Sequence, residues 1–333
     1  MDTVIIGGGI IGLAIALELA QAGMAVTIVE RGELGKGATW ASAGMLAPEA
    51  EGLTGQLLQL GLRSRQMYPQ WVAKLMRLTG LPCGYWCCGI LKPTKDATHP
   101  QCLSGQRLQQ KQAGLGFSQA LWLAEDGQVD NRLLTVALVA AVRSQRVKIL
   151  TGTAVYQIVT SENQVLHLAT SAGNLQAEHY VLATGAWTQE LLPLPVTPRK
   201  GQMLAVFDPE RTLQRVIFGD GIYLVPRQDG RIIIGATVEE VGWQGQCTAG
   251  GINHLLSGAI ALYPAIADMP IVETWWGFRP YAPAEQLILG ESTYSNLSLA
   301  LGHYRNGILL APITAHILRH WIINRQILDD LGT

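Results

Sequence analysis

No stretch of the 333-residue chain offers the roughly 20 uninterrupted apolar residues that a membrane-spanning helix needs. Charge is scarce and evenly divided. Lys and Arg number 24 against 25 Asp and Glu, and neither sign clusters, so the chain carries no electrostatic footprint for nucleic acid or an anionic membrane surface. The five cysteines, Cys83, Cys87, Cys88, Cys102 and Cys247, are odd in number and lack CxxC spacing, which excludes a disulfide framework. Cys83, Cys87 and Cys88 have no histidine companions and read as reduced thiols. His316 and His320 stand four apart on an expected helix but lack a third ligand, so no metal site is expected. Repeats, low-complexity tracts and linkers are also missing. The apolar stretch from Val4 to Ala20 has no basic leader and contains Glu18 and four glycines, which argues against a signal peptide. What remains is a small-molecule partner, no membrane span and a cytoplasmic location.

Apolar residues make up 48% of the chain and charged residues 15%, enough buried side chain to offset the entropy of ordering a large core. At this length two interlocked lobes are the natural arrangement. The chain opens with a β-rich run, Thr3–Ile6, leading straight into Gly7-Gly8-Gly9-Ile10-Ile11-Gly12. A helix is predicted over Leu13–Gln21, ending at Gly23, and a second strand over Ala25–Val29. Glu30 closes that strand 18 residues beyond Gly12. A glycine pattern alone is weak, but strand, turn, helix and acid together form a dinucleotide-binding βαβ unit. Gly7 permits the tight turn, Gly9 lets a pyrophosphate approach the backbone, and Gly12 lets helix and sheet pack closely. The helix N-terminus adds the positive end of its dipole, and Glu30 can accept the ribose hydroxyls.

Further along, a long helix is predicted over Leu57–Leu78, a strand over Gly89–Thr94 and a polar helix or loop over Gln101–Gln112. Asp130–Arg143 reads as an acid-capped helix, followed by strands at Lys148–Leu150 and Val155–Val159. A hairpin is expected from Val165–Thr170 against Leu175–His179, turning at Ala172-Gly173-Asn174. The buried strand Tyr180–Ala183 leads into the turn at Gly185, as a parallel sheet does when it returns to a cofactor. Alternating strands at Leu204–Phe207, Tyr223–Pro226, Arg231–Gly235 and Val272–Phe278, with a hairpin at Arg227–Gly230, predict an antiparallel sheet interrupted by a helix at Gly251–Tyr263. A strand at Leu297–Ala300, a turn at Gly302–Gly307 and a helix at Pro312–Ile323 with proline in its first turn return to the first lobe. The fold class is α/β: a Rossmann-type domain, binding the dinucleotide cofactor identified below, on a mainly parallel sheet, plus a substrate domain on a mostly antiparallel sheet. The first is assigned residues 1–80, 125–198 and 284–333, and the second 81–124 and 199–283.

A second small-residue stretch, Gly37–Gly44, suits a flavin lying against the backbone and favours FAD over a diffusible nicotinamide. The opening Val4–Gly12, Ala41–Leu46, Tyr223–Arg227, Gly235–Thr237, Trp276–Pro280 and above all Gly302–Pro312 together resemble the D-amino-acid oxidase-like FAD-dependent oxidoreductases. Within that family the likeness is to the glycine oxidases of thiamine biosynthesis, and it spans nearly the whole chain. The resemblance implies that Ile10, Ile11, Glu30, Arg31, Ala38, Thr39, Ala43, Gly44 and Met45 contact FAD, with the backbone near Val155 at the adenine end. It implies that His303, Tyr304, Arg305, Asn306, Gly307, Ile308 and Leu309 wrap the flavin ring. Because this turn precedes a helix, its N–H groups can face negative charge developing on the reduced ring.

The resemblance makes Arg279 the carboxylate anchor and Tyr223 its hydrogen-bonding neighbour, and a guanidinium can hold a carboxylate in a bidentate fork. Read alone, Arg279 suits a structural ion pair equally well, but its place at the end of Trp275-Trp276-Gly277-Phe278 favours a desolvated site. Arg305 has three partners open to it, substrate, flavin or the carbonyls of its own loop, and is assigned to the site. Met45 is expected to line the substrate cavity. Gly221 and Val238 stand where the family pattern has larger side chains, leaving open the preference among glycine, sarcosine and small D-amino acids. No cysteine lies near Arg279 in sequence, so the FAD is expected to be non-covalent.

The expected activity is oxidation of a small amino acid, entering as the neutral amine, to an imine, then 2-oxo acid and ammonia, with oxygen reduced to hydrogen peroxide. The glycine imine would supply thiazole synthesis for thiamine, and the resemblance implies a homo-oligomer. No acid or base need touch the reacting carbon, so orientation and cofactor electrostatics carry catalysis. Two alternatives stand beside this reading: a D-amino-acid or sarcosine dehydrogenase passing electrons to a quinone or carrier, and a non-catalytic FAD-binding assembly protein.

Overall fold

The computed structural model describes residues 1–324. The last residues of the range assigned above to the FAD-binding domain, 325–333, lie outside the described residues. The opening unit folds as its pattern dictates: strand Asp2–Ile6, helix Ile10–Gln21 and parallel strand Ala25–Val29. These join a six-stranded sheet in the order Ile288–Glu291, Leu297–Leu301, His179–Leu182, Asp2–Ile6, Ala25–Val29 and Lys148–Leu150. All neighbours are parallel except the antiparallel edge strand Ile288–Glu291. Apart from Glu18, which pairs with Lys74, and the terminal Gln21, the helix Ile10–Gln21 is apolar, and such a helix must be covered nearly all round. Helices Asn131–Ser144 and Gly307–Asn324 pack against it, and Gly55–Thr79 packs on both of those, so the four share one core. Asp130 caps Asn131–Ser144, accepting from the backbone of Arg132 and Leu133.

The second sheet has eight strands, ordered Ile271–Tyr281, Thr197–Phe207, Arg231–Gly235, Tyr223–Pro226, Val216–Phe218, Ile90–Pro93, Gln119–Leu123 and Cys102–Ser104. Only the Val216–Phe218 and Ile90–Pro93 pair is parallel. Its two longest strands run further than the sequence predicts. Pro198 and Pro280 sit opposite one another in the ladder, each lacking the N–H that marks a strand interior. The added residues include Arg279, which therefore rides on a paired strand. The fold class read from the sequence holds: a mainly parallel α/β layer beside a mostly antiparallel sheet.

Two local expectations are corrected. The predicted hairpin turns at Ser171-Ala172, where Thr170 pairs with Gly173, and its second arm ends at Leu175; His179 belongs to the parallel sheet. The helix predicted from Pro312 begins five residues earlier, at Gly307, so Pro312 is interior rather than in the first turn. Proline cannot donate to the carbonyl of Ile308 one turn back. The Tyr68 hydroxyl donates to that oxygen instead at 2.5 Å, and Ser64 donates to the carbonyl of Leu309 at 2.6 Å. The long helix Gly55–Thr79 thus repairs what the proline removes.

Candidate active site

A cavity of about 1160 Å³ runs from the glycine turn of the parallel sheet to the face of the antiparallel one. That exceeds the roughly 300–1,000 Å³ of an ordinary small-molecule cleft, leaving room for far more than a small amino acid. One end is built by Gly7, Gly9, Ile10, Ile11, Glu30, Arg31, Val155 and Gly185. Gly7 has φ +112, and a Cβ there would stand 2.3 Å from the carbonyl oxygen of Ala183. Gly12 is outside the lining, and a Cβ on it would sit 2.0 Å from the carbonyl oxygen of Gly7, so this glycine serves helix–sheet contact. Gly9 differs from both. Its φ of −74 suits any residue, and a Cβ would meet only Thr39 Oγ1, at 3.5 Å. Nothing in the protein demands glycine there, which fits a ligand pressing on that backbone. Glu30 accepts from the N–H of Gly8 and of Gly32, each at 2.8 Å, and each carboxylate oxygen keeps a lone pair for a hydroxyl. Arg31 lies 4.0 Å over the Trp187 ring and 3.5 Å from Glu190.

The middle of the cavity is walled by Ala38, Thr39, Ala43, Gly44 and Met45 on one side. His303, Tyr304, Arg305, Asn306, Gly307 and Ile308 form the other. Thr39 Oγ1 accepts from the N–H of Ile10 at 3.0 Å, tying the two small-residue segments together. Tyr304 takes a positive φ of 44 with its ring against Tyr281, 5.1 Å between centroids. The helix that follows starts at Gly307, so its unpaired first-turn N–H groups face this space. Burial drives the His303 imidazole down to about 3, and its Nε2 meets Thr314 Oγ1 at 3.0 Å, so the ring is neutral. Leu309 is not on the wall; its side chain is in the helical core, and only its carbonyl is engaged, by Ser64.

At the far end Arg279, Tyr223 and Arg305 meet. Arg279 Nη1 reaches the carbonyl of Thr237 at 3.1 Å, and its fork lies where a Cβ on Gly201 would be, 2.4 Å from Nη1. Among the described residues it forms no ion pair within 4.0 Å. Burial pushes the Tyr223 phenol up, partly opposed by the charge of Arg279. Of the two tryptophans that precede Arg279, Trp276 borders the cavity. Trp276 is 40% exposed, and Trp275 turns to donate to the carbonyl of Ala41 at 3.0 Å. Gly221 and Val238 both border this end.

Two residues escaped the sequence reading. Arg227, fully buried, donates to the carbonyl of Ala43 at 2.8 Å and to Asn131 at 3.0 Å, besides contacting Gln128, and so pins the small-residue wall to the antiparallel sheet. Glu51 lines the cavity with a side chain only 10% exposed, 4.0 Å from Arg305 Nη1. Burial raises its carboxyl above the usual range, while Arg305 and Arg279 pull it down. The Tyr223–Arg227 motif hinted at the first; nothing in the sequence around Glu49-Ala50-Glu51 hinted at the second.

A βαβ turn with a ligand-shaped glycine, opening on an antiparallel sheet that presents an arginine, defines an FAD-dependent oxidoreductase. The chain belongs to the DAO family of FAD dependent oxidoreductases, whose model matches residues 2–321. It is 49% identical to the bifunctional protein ThiO/ThiG of Trichormus variabilis, over 98% of this chain and 53% of that protein. It is 32% identical to the glycine oxidase of Bacillus licheniformis, over 98% and 94%. The crystal structure of glycine oxidase from Geobacillus kaustophilus superposes with a TM-score of 0.92 at 33% identity, covering 98% of this chain and 95% of that one. The chain spans about half the length of the bifunctional relatives it matches. No helix among the described residues is long and apolar enough to cross a membrane.

Proposed function

We propose that this chain oxidises glycine and similarly small amines, such as sarcosine and small D-amino acids, with non-covalent FAD. The products are the imine, then 2-oxo acid and ammonia, and hydrogen peroxide from oxygen; the glycine imine is offered to thiazole synthesis for thiamine. The observation that carries the reading is Arg279: a cavity-lining guanidinium that, among the described residues, has no carboxylate within ion-pair distance. Bidentate pairing with a substrate carboxylate satisfies it, and the phenol of Tyr223 adds a donor beside it. The parallel-sheet lobe is assigned to FAD and the antiparallel lobe to the substrate.

When bound, FAD supplies the hydride acceptor. The chain's own part is positional. Arg279 and Tyr223 fix the carboxylate, which sets the direction of the α-carbon, and holding reactants this way replaces a bimolecular encounter with a local one. Burial and the aromatic rings of Tyr223 and Tyr304 limit water. The first-turn N–H groups at Gly307 and Ile308, with a neutral His303 beside them, present donors without a competing cation from the imidazole. Met45 narrows the space for the substrate side chain, and Gly221 and Val238 leave it wider.

The test is anaerobic. Glycine, sarcosine or D-alanine added to the purified flavoprotein should bleach the flavin band, and air should restore it with release of peroxide. Bleaching that dyes reverse but air does not would place the chain with dehydrogenases. A flavin that no small amine bleaches would end the proposal.

A further inference from the structure

The turn bearing Glu51 is held from several directions. The N–H of Ala50 donates to Asp126 Oδ2 at 2.9 Å, and Lys92 Nζ donates to the carbonyl of Ala50 at 2.8 Å. Arg65 bridges Glu49, at 2.8 Å, and the fully buried Asp126. The N–H of Glu51 donates to the carbonyl of Ala47 at 2.9 Å. The backbone being fixed, the Glu51 side chain has little choice but to face the cavity end occupied by Arg279, Tyr223 and Arg305. Its nearest cation, Arg305 Nη1, is 4.0 Å away, beyond hydrogen-bond length. Among the described residues no side chain or backbone N–H donates to its carboxylate. A carboxylate buried to this degree without a donor is costly, and it is aimed into the space where the substrate would lie.

A small amino acid in neutral water carries an ammonium group, which has no lone pair to support the positive charge that grows on the α-carbon as its hydride leaves. We propose that Glu51 is the base that takes this proton. The N–H bond breaks, its electron pair becomes the amine lone pair, and an O–H bond forms on the Glu51 carboxyl, which later returns the proton to solvent. The inference rests on the proposed function and replaces one expectation from the sequence, entry as the neutral amine, with loss of the ammonium proton inside the site. The groups facing Glu51 are Arg305, Arg279 and Lys92, which favour its charged form, and Glu285, which opposes it; Tyr223 is the neutral neighbour. Burial outweighs the cations and lifts the carboxyl, bringing its basicity nearer to working pH.

The experiment measures the anaerobic rate of flavin reduction by glycine against pH, and separately the binding of glycolate, a carboxylate without an amine, from the shift of the flavin spectrum. In the native holoenzyme the rate should rise through a carboxyl's range and level off well below the amine's own pKa. In Glu51→Gln the neutral-pH rate should fall by about 100-fold or more. Its plateau should be replaced by a rate climbing tenfold per pH unit, while glycolate binds within about threefold of native, as expected when a base and not an anchor is removed. The proposal is overturned if the native rate already climbs to the amine's pKa, a result that does not depend on any variant folding. It is equally overturned if Glu51→Gln keeps the plateau, or if glycolate binding falls as far as glycine reduction, which would make Glu51 a support for Arg305. Absence of bleaching at every pH in the native protein would instead remove the proposed function itself.

Discussion

Gly9→Ala should separate cofactor binding from folding. The residue is the N-cap of helix Ile10–Gln21 with φ −74 and ψ −179, extended backbone open to any L-residue. The added methyl meets only Thr39 Oγ1 at 3.5 Å, an ordinary contact. Alanine is a somewhat poorer N-cap than glycine but loses less chain entropy on folding, and these effects of about 0.4–1 kcal/mol oppose each other. Stability of the cofactor-free protein should therefore change by less than about 1 kcal/mol. The same methyl occupies the approach by which a pyrophosphate reaches the turn's amides. Losing one charge-assisted hydrogen bond of about 1.5–3 kcal/mol weakens FAD by about 10- to 150-fold. Flavin fluorescence titration of the deflavinated protein gives the affinity, and urea unfolding of the same sample gives the stability. Gly12→Ala is the control: its Cβ would lie 2.0 Å from a backbone oxygen, and overpacking of that kind should cost about 2 kcal/mol or more in the urea experiment. Native FAD affinity in Gly9→Ala, or unfolding as ready as that of Gly12→Ala, would refute this role for Gly9.

Arg279→Lys keeps the charge but loses the fork, and kcat/KM for glycine should drop by about 10- to 150-fold with flavin content unchanged; an equal loss for an amine lacking a carboxylate would argue against anchoring. Tyr68→Phe strips the donor from the Ile308 carbonyl below Pro312 and should cost about 1–3 kcal/mol in urea unfolding, whereas an unchanged midpoint would mean the helix repairs itself. His303, held at about 3 against 6.5 when free, is protonated first in the unfolded chain, so stability present above pH 6.5 is lost as pH falls towards 3, at no more than about 1.4 kcal/mol per pH unit. Asp126, raised to about 6 from 3.8, takes its proton first in the folded state and works in the opposite sense between those values. Unfolding free energy of His303→Asn should consequently rise on acidification from pH 6 to 4 relative to native protein; parallel curves would refute the assignment.

The parts legible in the sequence were those whose signals are local. The βαβ unit announces itself through a β-branched run, three spaced glycines and Glu30, all within the first 30 residues, and it folded with the strand Ala25–Val29 at its predicted bounds. The ends of the two long antiparallel strands were hidden because Pro198 and Pro280 break the strand signature, yet pairing them opposite each other leaves the rest of the ladder intact. Pro312 misled in the same way: its cost to the helix is met by Tyr68 and Ser64, far away in sequence. Glu51 was invisible for another reason. An acidic residue before Gly52 reads as a solvated turn, and only the fold brings Asp126, Lys92 and the two arginines to it.

The order of strands in the parallel sheet also has a bearing on timing. Asp2–Ile6 can gain Ala25–Val29 on one edge early in synthesis, but its other edge waits for His179–Leu182, and Leu297–Leu301 must then join beyond it. The glycine turn is thus exported from the ribosome long before His303–Ile308, the segment that completes the same cavity wall. Contacts so distant in sequence form late. Tight retention of a dinucleotide consequently certifies that distant parts of the chain have met, and the yellow colour of a bound flavin becomes a readout of finished folding.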